Sequence, residues 1–356
     1  MKYYINGRFL TQRITGVQRY AREMTLALDH LLQEKPSHED EYIILAPQNI
    51  LERLDCQCIK MKICGRFSGH LWEQIELPYF ARDGFLLNFC NCAPLIKKNQ
   101  AVTIHDAAVA AFPEAYSWQF RTWYKIMYTV LGKRLKTIFT VSNFSRDELH
   151  KYFDIPKEKI HVTYNGTEHL QNIQPDERIL ARIPKDYVLA VSSQNPTKNF
   201  KLVLQTAEQM PDVQFVIAGG TNAKVFNSKT RQKLSNVHYV GYVSDEELVA
   251  LYRHAKVFVY PSLYEGFGIP PLEAMMNGCP VIVSDRASLP EICGSVALYC
   301  NAVDNGISLK NNIQQVLSQH NFVISLCENE NKLIKKYSWL VSMNVLLKSL
   351  KNVIYK

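Results

Sequence analysis

Two glutamates bracket a glycine-rich turn in EGFGIPPLEAMMNGCPVIVSD, residues 265 to 285. Glu265 stands directly before Gly-Phe-Gly, and Glu273 follows Pro270 and Pro271. Paired prolines suit the first turn of a helix, Gly278 suits its exit, and the apolar run after it reads as a buried strand. The stretch is therefore loop, helix, strand, with a pliant backbone aimed at a helix N-terminus. Such a terminus offers unpaired N–H groups and the positive end of a dipole, which together favour an anion. Glu273 is expected in the helix's first turn, where the dipole alone would account for a carboxylate. If a diphosphate occupies that end, however, a further anion is unfavourable unless it accepts hydrogen bonds from hydroxyls. Carboxylates on both sides of an anion-binding turn fit a ligand with phosphate in the middle and polyol at each end, which describes a nucleotide sugar.

Other residues carry weaker signals. His105 ends the apolar run AVTIH and precedes Asp106. It reads either as a satisfied structural histidine or as a group presented at a strand's carboxyl end. Lys198 and Asn199 lie in VSSQNPTKNF, between a strand-like run and a helix-like one. Lys198 there either neutralises a phosphate or is a solvated lysine at a helix start. Gly16, in QRITGVQRY, stands where a loop enters a helix and resembles a phosphate-facing turn.

The elements that must position these groups alternate in type. After residue 187, YVLAVSS, VQFVIAG, VHYVG, KVFVYPS and PVIVSD read as strands separated by helical periodicity. KYYIN, EYIILA, GFLLNF, AVTIHD, TIFTVS and KIHVTYNG repeat the plan in the first half. Capping boxes are expected from Ser145 to Glu148 and from Ser244 to Glu247. Residues 166 to 186 lack periodicity and read as a linker. Short β-branched strands with helices between them imply an α/β fold of parallel sheets covered on both faces. Ligands of such sheets sit beyond the carboxyl ends of the strands, where the loops carrying His105, Lys198 and Glu265 fall.

The chain has 356 residues, enough for two domains, with 47% hydrophobic residues and a net charge of +8. The N-terminus MKYYINGRFLTQR lacks the apolar core of a secretory signal. No uncharged apolar run reaches the roughly 18 residues that a membrane span needs. A cytoplasmic location is expected. Nine cysteines lie scattered with no C-x-x-C pair and no histidine at a zinc-ligand spacing, and no D-x-D pair occurs. Buried reduced thiols are expected, and no metal. The modest positive charge comes with no nucleic-acid motif, so no nucleic-acid partner is expected.

In sequence order, GVQRYAREM, VTIHDAAV, TVSNFS, VSSQNPTKN, the opening stretch and LPEICG resemble the retaining glycosyltransferases of family 4, over essentially the whole chain. Glu265 and Glu273 match that family's E-x7-E motif. The resemblance implies the GT-B fold, two doubly wound Rossmann-like domains facing across a cleft. An acceptor-side domain would span 1–170, and a nucleotide-sugar domain 171–337. A C-terminal helix over about 338–356, apolar at Trp339, Met343, Leu346, Leu350 and Ile354, would cross back onto the first domain. Residue by residue, Glu265 would meet hydroxyls of the donor sugar and Glu273 the ribose. Backbone N–H groups around Phe267, Gly268 and Ile269 would hold sugar and diphosphate. Lys198 would neutralise the diphosphate, His105 would touch the sugar near the reacting carbon, and Gly16 would approach the donor phosphate. Many relatives carry an arginine where Ser192 and Ser193 stand here, which shifts weight onto Lys198.

The implied activity is transfer of a hexose, with GDP-mannose the preferred donor over UDP- or dTDP-sugars, to a glycan or lipid-diphosphate-linked acceptor during cell-surface polysaccharide synthesis. No cofactor is implied. Retention would proceed by same-face attack, with the departing phosphate oxygen taking the acceptor's proton. A sugar-nucleotide epimerase or a phosphorylase of similar fold, or a catalytically silent nucleotide-sugar-binding module, are the rivals. One further feature concerns partners. Between Glu114 and Asp147 no acidic residue occurs, whereas Arg121, Lys125, Lys133, Arg134, Lys136 and Arg146 do. On a helix over 118–134, Phe120, Trp123, Tyr124, Met127 and Leu131 line one face, while Arg121, Lys125 and Lys133 cluster around Trp118 on the other. The plain reading is a solvated face; the sharper one is contact of Trp118 to Lys136 with anionic lipid on the inner face of the plasma membrane.

Overall fold

Strand-forming runs that are apolar on both faces must be covered on both faces, and the chain does this twice. The computed structural model describes residues 1–35, 39–191, 195–219 and 234–354, with side chains described as far as residue 352. Ser192, Ser193 and the side chain of Ile354 lie outside that set. Two compact units emerge: Met1–Asn165 together with Ser338–Lys356, and Gly166–Tyr337.

Among the described residues seven parallel strands form the sheet of the first unit: β1 (Lys2–Asn6), β2 (Glu41–Ala46), β3 (Lys60–Ile63), β4 (Phe85–Asn88), β5 (Gln100–Thr103), β6 (Ile138–Thr140) and β7 (Ile160–Val162). Their order is β3-β2-β1-β4-β5-β6-β7, so the winding reverses between β1 and β4. Ile5, Ile44, Leu86, Val102 and Ile138 from five of these strands have no exposure. The sequence reading missed β3. Its Lys-Met-Lys-Ile is mostly exposed, as an edge strand defended by lysines should be. The helix Asn143–Phe153 corrects the expected capping box. Its cap is Ser142, whose hydroxyl accepts from the Ser145 N–H at 2.9 Å, so Ser145 is already inside the helix. The closing helix Trp339–Ile354 belongs to this unit, where Trp339 packs edge-on to Tyr20 of the helix Gly16–Glu34 with ring centroids 5.9 Å apart.

Among the described residues the second unit holds six parallel strands: β8 (Tyr187–Val191), β9 (Gln214–Ala218), β10 (Val237–Gly241), β11 (Val257–Tyr260), β12 (Val281–Ser284) and β13 (Leu298–Cys300). The order β10-β9-β8-β11-β12-β13 reverses between β8 and β11. This is the strand order of a dinucleotide-binding sheet. Ser244 and Glu247 form the capping box expected of them, at the head of the helix Asp245–His254. Residues 166 to 186 are not a free linker. Leu170 and Ile179 are buried, and the Asp176 N–H donates to the Glu246 carbonyl at 3.0 Å, so the segment is part of the second unit.

Candidate functional site

The reversal between β8 and β11 brings two sequence-distant loops together. After β8, Asn195 caps the short turn Pro196–Lys198 by accepting from the Thr197 N–H at 3.1 Å. Asn199 then takes a left-handed conformation, φ 56°, and its amide donates to the Pro261 carbonyl at 3.1 Å and the Ala302 carbonyl at 2.9 Å. The Thr197 carbonyl accepts from the Leu263 N–H at 2.7 Å. These bonds stitch the loop after β8 to the one after β11. Lys198 is thereby set against Glu265, its Nζ donating to Oε1 at 2.5 Å and to the Tyr260 hydroxyl at 3.2 Å. Burial pulls the Lys198 ammonium toward neutrality, yet the Glu265 carboxylate and the Tyr260 hydroxyl together outweigh it and hold its pKa above the ordinary lysine value.

Glu265 opens the turn into the helix Ile269–Met276. The Ser288 hydroxyl lies 3.0 Å from the Glu265 carbonyl and 2.9 Å from that of Phe267, which fixes the turn from beneath. The Phe267 ring is buried edge-on to Tyr337 at 5.6 Å. Gly268 is the N-cap at φ 95°, where a side chain is strained, and an added Cβ would stand 2.7 Å from Leu289 Cδ2. Because Pro270 and Pro271 have no N–H, Ile269 and Leu272 supply the donors of the first four helical positions.

Glu273 lies beyond the first turn, which holds no acidic residue, correcting the expected placement. The dipole therefore does not explain it. Its Oε1 is 2.9 Å from His169 Nε2, and its Oε2 accepts from the Tyr252 hydroxyl at 3.1 Å. A carboxylate only accepts, so His169 Nε2 carries a proton. The sequence reading missed His169, Tyr252 and Tyr260.

Lys198, Glu265, Phe267, Gly268, Ile269 and Glu273 thus belong to one unit, and Gly16 and His105 to the other. Gly16 is the exposed first residue of the helix Gly16–Glu34, whose N-cap Thr15 makes no side-chain capping bond. One turn on, Tyr20 packs edge-on to His105 at 4.9 Å. His105 is buried beyond β5, its N–H donating to Asn91 Oδ1 at 2.7 Å and its Nε2 to the Phe89 carbonyl at 2.9 Å. Burial lowers its pKa to about 4 despite the Phe89 bond, so the imidazole is neutral at physiological pH. A neutral ring held this way does not serve as a proton reservoir.

Among the described residues one trio has metal-ligand character. Atoms of His70, Glu73 and Cys92 lie within 4.8 Å of one another. Arg8 Nε already donates to Glu73 Oε1 at 3.1 Å, and burial pushes the Cys92 thiol up to about 12. A neighbouring guanidinium and a protonated thiol suit a hydrogen-bonded network better than a cation.

The chain resembles known proteins in both sequence and fold. Residues 175–337 match the family described as "Glycosyl transferases group 1", and residues 85–169 match "Glycosyltransferase Family 4". The chain is 30% identical over 260 residues to the O-antigen chain mannosyltransferase RfbU of Salmonella typhimurium, covering 69% of this chain and 70% of that protein. It is 33% identical over 219 residues to O-antigen chain mannosyltransferase B of Escherichia coli, covering 57% of each. The crystal structure of Anabaena HepE in complex with UDP-glucose superposes with a TM-score of 0.76 over 99% of this chain and all of that one, at 14% identity, a likeness of fold.

Proposed function

This chain belongs to glycosyltransferase family 4, and on that premise we propose that it transfers mannose from GDP-mannose, with retention, to a cell-surface glycan carried on a lipid diphosphate. The observation that carries the donor half of this reading is the Lys198–Glu265 pair at the reversal of the six-stranded sheet, directly before a glycine-capped helix. Nucleotides bind at such a reversal. Lys198 supplies the positive charge for a diphosphate, and its raised pKa keeps it charged through the reaction. Its charge matters most as the leaving group departs, which is where stabilisation raises turnover. Glu265 accepts from sugar hydroxyls. Glu273, held by His169 and Tyr252, accepts from ribose. His105, neutral and immobilised, positions the sugar. Mannose and an O-antigen-like acceptor are favoured by the two relatives whose names state those activities.

The test is protection against thermal unfolding by GDP-mannose, UDP-glucose and dTDP-glucose, followed by hydrolysis of the stabilising donor without acceptor. GDP-mannose is expected to stabilise most and to be slowly hydrolysed, both effects being lost in Lys198→Ala. Stabilisation without hydrolysis would favour a silent module, and no stabilisation by any of the three would defeat the reading.

A further inference from the structure

The carboxyl ends of β1 and β4, where the seven-stranded sheet reverses its winding, hold polar side chains that donor binding leaves unused. Asn6 ends β1, Asn88 ends β4, and Arg8 stands just beyond β1; all three are buried. Glu73, 1% exposed, reaches them from the segment Trp72–Glu76, which is wound as a π-helix. Its Oε1 accepts from Asn6 Nδ2 at 2.8 Å and Arg8 Nε at 3.1 Å. Its Oε2 accepts from His70 Nδ1 at 3.2 Å. A buried ion pair is poor value as a stabiliser, and π-helical turns concentrate at functional sites. Both costs support one product, an imidazole fixed in orientation.

That imidazole faces outward, its side chain 43% exposed. With Nδ1 donating to Glu73, the neutral ring leaves a lone pair on Nε2, and among the described residues nothing hydrogen-bonds to it. The rings of Trp123 and Tyr124 stand edge-on to it, with centroids at 6.0 and 6.4 Å. A hydrogen-bond acceptor beside half-buried aromatic rings, at the ligand-binding edge of a sheet, matches a pyranose, which offers hydroxyl donors and apolar C–H faces.

We infer that His70 binds the terminal pyranose of the acceptor glycan through Nε2, with Trp123 and Tyr124 against the sugar's C–H face, and with Glu73 and Arg8 as positioning residues for the imidazole. This rests on the glycosyltransferase reading and adds the acceptor's contact residues to it.

Saturation-transfer NMR tests it directly, using the methyl α-pyranosides of mannose, glucose, galactose and N-acetylglucosamine as probes. The intact protein is compared with His70→Ala, His70→Gln and Glu73→Gln. At least one glycoside is expected to bind saturably. His70→Ala should weaken it about five- to tenfold, the loss of one hydrogen bond. His70→Gln, whose amide reaches the place of Nε2, should recover part of that loss, and Glu73→Gln should fall between. Stabilisation by GDP-mannose, measured on the same samples, should be unchanged in all three variants; its absence from the wild type would count against the donor reading alone. The inference is overturned if no glycoside binds the wild type, if His70→Ala binds as well as wild type, or if Co²⁺ added alone gives a thiolate charge-transfer band that Cys92→Ser abolishes, which would make the trio a metal site.

Discussion

Lys198 Nζ and Glu265 Oε1 meet at 2.5 Å across the boundary of β8 and β11, joining loops 67 residues apart in sequence at the reversal of the six-stranded sheet. Both side chains are largely buried, at 18% and 9% exposure. Removing one partner leaves the other charged without compensation, at a cost of about 3 to 5 kcal/mol. Lys198→Ala is therefore expected to lower the melting temperature as well as abolish turnover. Lys198→Ala combined with Glu265→Gln should recover much of the stability and none of the activity. Calorimetry beside donor hydrolysis separates the two effects, and a double variant no more stable than the single would contradict the pairing.

Gly268→Ala tests the turn. At φ 95° an alanine costs about 1 to 2 kcal/mol, and its Cβ would also press on Leu289 Cδ2. The helix Ile269–Met276 must then shift, so donor affinity should fall by more than stability does. Titration with GDP-mannose followed by calorimetry measures this, and full affinity in the variant would free the turn from any role in binding.

Glu273→Gln should weaken nucleotide binding by roughly 10- to 100-fold, as expected for a hydroxyl bond to a charged acceptor. His169→Ala should weaken it less, because Tyr252 still holds Oε2. Equal losses would mean that His169 meets the nucleotide itself.

The local half of this site was readable from sequence because its signals are local. Glycine before a turn, proline in a first turn and apolar runs of strand length need no tertiary context, and EGFGIPPLEAMMNGCPVIVSD carries all three. His169, Tyr252 and Tyr260 carry no such mark. They reach Glu273 and Lys198 from 104, 21 and 62 residues away in sequence, respectively. Glu73 and His70 were invisible for the same reason, since their meaning comes from Asn6 at the end of β1 and Arg8 just beyond it. Ser142 lost to Ser145 because both are followed three residues later by a polar residue, and a glutamate at 148 outweighed a serine at 145. The strands β3 and β13 were missed because each is short and partly exposed, with too few residues to show a period.

Glu330 predicts a pH dependence of stability. It has no exposure, and its Oε1 accepts from the Val281 N–H at 3.2 Å beneath β12. Burial raises its pKa from 4.5 to about 8. The folded protein therefore keeps a proton that the unfolded chain gives up, and stability is expected to fall as pH rises from about 4.5 to about 8 and then level off. Glu330→Gln should remove that slope, gaining on the order of 3 to 5 kcal/mol near pH 8. Unfolding curves across this range would expose the error if the variant and wild type lose stability in parallel.

The last prediction concerns the membrane face we propose for the first unit. No helix among the described residues is long and apolar enough to cross a membrane, and the face proposed for lipid contact is the outer side of a single helix. The helix Trp118–Arg134 buries Met127 and Leu131 and leaves Trp118 and Ile126 69% and 52% exposed, with Lys125 and Lys133 also exposed. Arg121 departs from the expected outer cluster. It is half-buried, with a guanidinium nitrogen 3.5 Å from the Pro113 carbonyl, so Lys136 is the better third cation. Close by, where His70 packs against Trp123, Leu71 and Ile75 are exposed by 61% and 55% and extend the apolar surface. Each cation near an anionic surface contributes about 1 kcal/mol, and the exposed apolar side chains add affinity that salt does not screen. Cosedimentation with phosphatidylglycerol-rich vesicles should therefore weaken but persist at high salt. Glutamates at Lys125, Lys133 and Lys136 should remove the salt-sensitive part, and alanines at Trp118 and Ile126 the remainder. Equal binding of all three proteins, or equal binding to neutral vesicles, would return this helix to an ordinary solvated face.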